Sequence, residues 1–193
     1  MTQEKIRCPW CLGDPEYMRY HDREWGVPLK HSLKLFEFLI LDGAQAGLSW
    51  LTILKRREAY RLAFDGFDPE KMARYGEKDI TRLLKDSGII RNRLKIQSAI
   101  GNARAYCNME DAGEKFGKWL WNWVDGKPIV NHWKTMADIP ASTGLSENIS
   151  RELKKKGFSF VGPTIIYAFI QAAGLVNDHL ADCYRYYSCS KNK

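Results

Sequence analysis

Residues 8–28 read CPWCLGDPEYMRYHDREWGVP, and this stretch decides how the chain is put together. It carries Cys8, Cys11 and His21 among the large aromatics Trp10, Tyr17, Tyr20 and Trp25. The aromatics alone could be core. The thiols and the imidazole need partners, and a matching pair lies near the other end of the chain: His179 and Cys183 in NDHLADC. The expectation is a helical body whose two ends are drawn together by this stretch.

On a helix, a spacing of four places His179 and Cys183 on one face, a turn apart. Cys8 and His21 can then complete a Cys2His2 set. Four protein ligands close a tetrahedral site, which is structural; a catalytic one keeps a position open for water. The alternative set is Cys8, Cys11, His179 and Cys183, because Cys8 and Cys11 form a C-x2-C knuckle, and Cys189 is a further candidate ligand. An H-x3-C pair by itself is also common in ordinary packing. A metal clip between the termini offsets a loop-closure cost that grows only slowly with length.

The remaining features frame that reading. The chain has 193 residues, 45% of them hydrophobic, enough for a sizeable core and against disorder. The formal net charge of +7 points to a polyanionic partner, DNA or RNA before others, although many basic soluble proteins bind neither. The first residues, MTQEKIR, are polar and no apolar leader follows, so the expected location is the cytoplasm. In that reducing compartment five cysteines, an odd number, fit metal binding better than disulfides. The longest apolar runs are too short to span a bilayer.

The pattern is helical almost throughout. Asp14-Pro15 and Asp68-Pro69 each place a cap before a proline at the first helical position. Ser32 opens LKLFEFLILDGAQA, apolar on most faces and so expected at the centre. Ser49 is expected to cap a single helix, WLTILKRREAYRLAF. EKDITRLLKDSG is amphipathic and should stop at Gly88. Residues 91–112 form another helix, residues 125–145 an irregular connection, and Ser146 the cap of a helix that ends in KKKG. No strand alternation is visible, so the fold class is all-α, one domain over residues 1–193.

KKKGFSFVGPTIIYAFIQAAG, residues 154–174, reads as helix, short turn, helix. Gly157 and Gly162 let another backbone approach, and the N–H groups at Pro163-Thr164 open outward. Such a turn can hold a DNA phosphate without reading sequence, although an ordinary helical hairpin has the same pattern.

Taken in order, DPEYMRYHDREWGVP, AGLSWLTILKRREAYR, SGIIRNRLKIQSAIGNARA, LKKKGFSFVGPTIIYAFIQAAG and LVNDH resemble the bacterial 3-methyladenine DNA glycosylase I family, from Cys8 to about Cys183. The resemblance implies an all-α helix-hairpin-helix glycosylase fold with the hairpin at about 147–174. It implies one structural Zn2+ on Cys8, His21, His179 and Cys183, with Cys11 a bystander. It implies a base pocket of Trp10, Tyr17, Tyr20, Trp25, Asp42 and Trp50, with Asp42 in the catalytic role. Gly47 and Leu48 would face the gap left by a flipped nucleotide, and Gly157, Gly162 and Thr164 would meet phosphates. The implied partners are double-stranded alkylated DNA and the 3-methyladenine product, and the implied state is a monomer in the bacterial cytoplasm, associated with the nucleoid. The family usually carries glutamate where this chain has Asp42, so the carboxylate sits about 1.5 Å further back.

A stacked base cannot be cut, so the nucleotide must flip out. Aromatic faces attract the positively charged lesion, and a carboxylate accepts its N–H edge. Thr164 and Ile165 stand where lyase relatives carry a Schiff-base lysine, so strand cutting is not expected. Asp178 lies near the place where many relatives hold a catalytic aspartate; the family is thought to do without it, so a structural residue is expected, with a catalytic role as the alternative. The rival readings are a non-catalytic zinc-stabilised DNA-binding module, which would not need a carboxylate facing aromatics, and a helix-hairpin-helix glycosylase for another lesion.

Overall fold

The computed structural model describes residues 5–190; residues 1–4 and 191–193 of the expected domain lie outside them. The architecture is mostly helical, in the order α1 Pro15–Arg23, α2 Ser32–Gln45, α3 Trp50–Leu54, α4 Arg57–Ala63, α5 Pro69–Ala73, α6 Glu77–Lys85, α7 Arg93–Asp111, α8 Phe116–Asn122, β1 Ile129–Val130, α9 Gly144–Lys155, α10 Pro163–Ala172, β2 Val176–Asn177 and α11 Tyr186–Ser190. Helix α2 is central, with Leu35, Phe36, Leu39, Ile40 and Leu41 buried. It packs against α3, α7, α8 and α10. Truncating one such leucine to alanine typically costs about 2–5 kcal/mol.

The cap-proline signals hold. Asp14 accepts from the Glu16 and Tyr17 N–H groups, and Asp68 from those of Glu70 and Lys71. Four local expectations are corrected. The helix expected after Ser49 is two: Ser49 caps α3 by accepting from Thr52 N–H, and the chain turns at Lys55-Arg56 before α4. Helix α6 ends at Lys85, where Asp86 takes an extended conformation, rather than at Gly88. Thr143, not Ser146, caps α9; Ser146 is buried at the third helical position, its hydroxyl accepting from Thr143 N–H. Two strands also exist. β1 pairs parallel with β2, Ile129 beside Val176 and Val130 beside Asn177, each too short to alternate visibly in sequence. The pairing ties the otherwise irregular 125–145 connection to the end of the chain.

Helices α9 and α10 pack on each other through a turn over residues 156–162. Gly157 sits at φ +91°, a conformation that a Cβ disfavours. Helix α7 holds the turn: Asn102 Nδ2 donates to Ser159 O at 3.0 Å, and Ser159 N donates to Asn102 Oδ1 at 2.8 Å. Ser150 Oγ donates to Val161 O at 2.6 Å. Among the described residues no helix is long and apolar enough to cross a membrane.

Candidate active site and metal cluster

Helix α1 serves two neighbouring sites. Tyr17 and Tyr20, three residues apart, share one side of the helix, and His21, the next residue, is turned about 100° from Tyr20. Tyr17 and Tyr20 line a cavity of about 210 Å³ with Trp10, Trp25, Asp42 and Trp50. The structure thus brings together all six residues expected in the pocket. Trp10 approaches Tyr17 and Trp25 with ring centroids 4.8 and 5.0 Å apart, and Tyr20 lies 5.5 Å from Trp50. Sequence reasoning missed the rest of the lining: Gln45, Met136, Ile139, Ala168, Gln171 and Ala172. Met136 and Ile139 come from the connection after β1, and nothing in their local pattern marks them.

Asp42 lies in the last turn of α2, 3% exposed, and its Oδ2 has no hydrogen-bond partner; nor does the buried Trp50 Nε1. Burial alone pushes the Asp42 carboxyl well above the usual range, with no cation or donor opposing it. Burial, and then the Asp42 charge, pushes the Tyr20 phenol up as well. Glu37, five residues earlier and also buried, is treated quite differently: Lys34 Nζ lies 2.8 Å from Oε2 and Arg61 Nε 2.7 Å from Oε1. A buried carboxylate without donors is costly, so Asp42 is placed for something other than stability.

Beyond α2 the chain turns through Gly47, at φ +75°, and Leu48, which is 39% exposed. Lys95 Nζ donates to Ala44 O at 2.8 Å and Ala46 O at 2.6 Å, capping the end of α2 beside that turn. Gly162 and Thr164 lie at the start of α10 and are not among the residues that line the cavity. Gly162 is not left-handed (φ −61°), and a Cβ there would meet nothing within 4 Å.

On the other side of α1, Cys8, His21, His179 and Cys183 are all buried, and their ligand atoms lie within 4.8 Å of one another, close enough to hold a metal ion. Cys8 Sγ is 3.7 Å from His179 Nδ1; Cys183 Sγ is 3.5 Å from the same nitrogen and 3.4 Å from His21 Nε2. His179 and Cys183 do not share a helix, as the spacing suggested; a turn between β2 and α11 brings them together. Cys11 is buried outside the cluster, its thiol donating to Cys8 O at 3.2 Å. The cluster residues have further partners. His21 Nδ1 meets Asp22 Oδ1 at 2.9 Å, and Arg7 clamps Asp22. Despite partial burial, the Arg7 and His21 contacts hold the Asp22 carboxyl well below its usual range. Leu180 N–H donates to Cys8 Sγ, Arg185 N–H to Cys183 Sγ, and His179 Nε2 lies 3.3 Å from Trp25 O.

Asp178 is buried, and its oxygens accept from Asn131, Trp133, Tyr167 and Gln171.

The chain matches known proteins over nearly its whole length. Residues 10–186 match the methyladenine glycosylase family. The chain is 55% identical to DNA-3-methyladenine glycosylase 1 of Escherichia coli K12, over 92% of this chain and 95% of that protein. It is 49% identical to DNA-3-methyladenine glycosylase of Haemophilus influenzae Rd, over 92% and 96%. A solved 3-methyladenine DNA glycosylase I variant in complex with 3-methyladenine superposes with a TM-score of 0.90 at 39% identity, covering 96% of this chain and 98% of that one. The chain belongs to the methyladenine glycosylase family and is an enzyme of the DNA glycosylase class.

Proposed function

We propose that this chain hydrolyses the N-glycosidic bond of 3-methyladenine in alkylated double-stranded DNA, leaving an abasic site and no strand break. One observation carries the reading: a buried carboxylate, Asp42, without a partner on Oδ2, and the unpartnered Trp50 N–H, at a cavity walled by aromatic faces. A methylated adenine flipped into the cavity brings positive charge and N–H donors. The aromatic faces attract that charge by about 0.5–2 kcal/mol per contact. Asp42 accepts the N–H edge in a charge-assisted bond, roughly twice as strong as a neutral one. Normal adenine is neutral and gains less from both.

Because the methylated base departs as a neutral molecule, no strong general acid is required. Binding energy, exclusion of water and the Asp42 charge near the developing oxocarbenium sugar lower the barrier. Water adds to C1′ as the C1′–N9 bond breaks. Helix α10 carries Thr164 and Ile165 in its first turn, so no amine is there to form a Schiff base.

Around the cavity, Leu48 and Gly47 would fill the gap in the duplex. Gly162 offers no side-chain cap to α10, which leaves the first N–H groups of that helix, around Thr164, for a phosphate. Lys154, Lys155 and Arg151 flank the same groove. With the net charge of +7 this favours backbone contacts without sequence preference. The terminal cluster fits zinc. Tetrahedral bonds of about 2.3 Å to sulfur and 2.0–2.1 Å to nitrogen set sulfur–nitrogen edges of about 3.5 Å, and three such edges here run from 3.4 to 3.7 Å. Zinc on Cys8, His21, His179 and Cys183 would supply folding energy and no catalytic water. The protein would act as a monomer in the bacterial cytoplasm, on the nucleoid.

Incubation with DNA treated with a methylating agent, followed by chromatography of the released bases, tests the reading. Free 3-methyladenine with alkali-labile, unbroken strands is expected. Binding without release would make the chain a DNA-binding module, and release of a different base alone would reassign the lesion.

A further inference from the structure

Gln171 projects into the cavity from the last turn of α10, and the reading above gives it no part. Its orientation follows from Asp178. Oδ1 of that carboxylate accepts from Asn131 Nδ2 at 2.8 Å and Trp133 Nε1 at 2.7 Å; Oδ2 accepts from the Tyr167 hydroxyl and Gln171 Nε2, both at 2.6 Å. Asn131, Trp133 and Tyr167 fill the other positions around the carboxylate as donors, and the Gln171 amide turns its nitrogen toward Asp178. The amide's carbonyl oxygen receives no hydrogen bond among the described residues and is not sealed from solvent. That oxygen belongs to a residue that lines the cavity.

We infer that Gln171 is a specificity-determining residue. Its carbonyl oxygen, turned to the cavity by Asp178, accepts an N–H of the purine's 6-amino group and disfavours a 6-oxo group at the same place. The inference rests on the proposed glycosylase reading and deepens it. The polar atoms of the cavity include the acceptors Asp42 Oδ2 and Gln171 Oε1 and the donor Trp50 Nε1, with Tyr17, Tyr20 and Gln45 also in the lining. A 6-amino purine supplies two N–H donors to such a pair. A 6-oxo purine sets an oxygen against an oxygen and leaves buried acceptors unmet. Charge and aromatic faces cannot make this distinction, because 3-methyladenine and 3-methylguanine nucleotides carry the same charge and a methyl group at the same position. Asp178 acts as a positioning residue: it touches no base, and it prevents the amide from flipping.

The test uses the full chain on one DNA preparation that contains both 3-methyladenine and 3-methylguanine, with the rate of release of each base measured below saturation. Wild type should favour 3-methyladenine. Gln171→Met keeps the length of the side chain and the helix propensity but removes the acceptor. It should lower 3-methyladenine release about tenfold without a matching fall for 3-methylguanine, so the selectivity ratio falls about tenfold. Gln171→Ala, a second variant at this half-buried position, should shift the ratio the same way. Asp178→Asn lets residue 178 offer an N–H2 to Gln171 Oε1, so the amide can flip its own N–H2 into the cavity. It should move the ratio at least as far, an effect that lost stability alone would not produce. A ratio within about twofold of wild type in both Gln171 variants, with 3-methyladenine still released, overturns the inference and leaves the glycosylase reading standing. No 3-methyladenine release from wild type overturns the reading itself.

Discussion

The terminal cluster and the aromatic cavity share a wall. Trp25 lies 4.6 Å from the His179 ring on one side and lines the cavity on the other, and α1 sends His21 one way and Tyr17 and Tyr20 the other. Yet the two places treat polar atoms in opposite ways. At the cluster, each thiol meets an imidazole and a backbone N–H, and each imidazole has a further partner in Asp22 or Trp25 O. At the cavity, Asp42 Oδ2 and Trp50 Nε1 are buried without partners. Buried polar groups are normally satisfied. The cluster's four ligand atoms are thus held by groups of the chain itself, whereas at the cavity Asp42 Oδ2 and Trp50 Nε1 have no partner among the described residues. The difference is what the proposed roles, structural at the cluster and recognition at the cavity, would require.

The largest expected effect follows from breaking the completed side. Cys8→Ser, or removal of zinc by a chelator, should lower the thermal midpoint by at least about 10 °C, because metal-binding energy is folding energy and each kcal/mol is worth about 2–4 °C at this chain length. Cys11→Ser should retain the metal, since its thiol faces Cys8 O outside the cluster. Metal analysis and melting curves of both variants check this; loss of zinc in Cys11→Ser would restore the C-x2-C alternative.

Breaking the incomplete side should do the reverse to stability. The Asp42 carboxyl is pushed up by burial in the folded state, so the folded protein holds that proton more tightly than the unfolded chain does. Stability from this group is unaffected below the ordinary carboxylate pKa, falls as pH rises through it, and stays lowered above the folded value. Asp42→Asn should therefore melt higher than wild type at neutral pH, and the gap should close as pH falls below about 4. The same variant should bind free 3-methyladenine about tenfold or more weakly, since the charge of a charge-assisted bond is lost. Asp42→Glu should retain or improve binding, with the longer acid reaching further into the cavity. Melting curves against pH and titration with the free base measure both effects. Equal affinity in wild type and Asp42→Asn would remove Asp42 from recognition.

Much of this contrast was legible in sequence, for reasons that differ residue by residue. Asp14-Pro15 and Asp68-Pro69 announce helix starts because a cap and a fixed φ act locally. His179 and Cys183 were identified as a pair by their spacing, but for a geometry they do not have: the turn after β2 does what a helix would have done. Ser49 was legible as a cap, whereas the break at Lys55-Arg56 was not, since the apolar periodicity runs on through it. Thr143 and Ser146 are both good cap residues, and only tertiary burial of Ser146 decides between them. Met136, Ile139 and Gln171 reach the cavity through contacts between segments distant in the chain, and a local pattern carries no trace of that. Asp178 shows the same limit. Its four donors come from residues 131, 133, 167 and 171, and their convergence exists only in the fold.

A smaller effect should come from Lys95, which sharpens the comparison by separating the cavity from its rim. Its ammonium meets two carbonyls at the end of α2, where a cation also favours the helix dipole. Burial lowers its pKa, and the bonds to Ala44 and Ala46 hold it in place. Lys95→Met should cost about 1–2 kcal/mol and loosen the turn that carries Gly47 and Leu48. Excision from duplex DNA should fall severalfold while binding of the free base, which needs only the cavity, stays near wild type. Parallel measurement of both decides the matter; an equal loss in both would place Lys95 behind Asp42 rather than behind the turn.

The smallest effect concerns two glycines that look alike in GFSFVG, residues 157–162. Gly157 has φ +91°, so alanine there is strained whatever the space, by about 1 kcal/mol or more. Gly162 has φ −61° with open space where a Cβ would be. Alanine at 162 suits the backbone and should stabilise the chain slightly, by up to about 1 kcal/mol, through the unfolded state. If the start of α10 receives a phosphate, however, the added methyl stands where the phosphate approaches. Gly162→Ala should then leave the melting temperature unchanged or raised while weakening binding to undamaged duplex about two- to fivefold, equally across sequences. Gly157→Ala should lower the melting temperature. An affinity for duplex unchanged by Gly162→Ala would move the phosphate contact away from α10, leaving Arg151, Lys154 and Lys155 to account for DNA binding on that face, with a salt dependence that each charge removed would reduce by about one unit of slope.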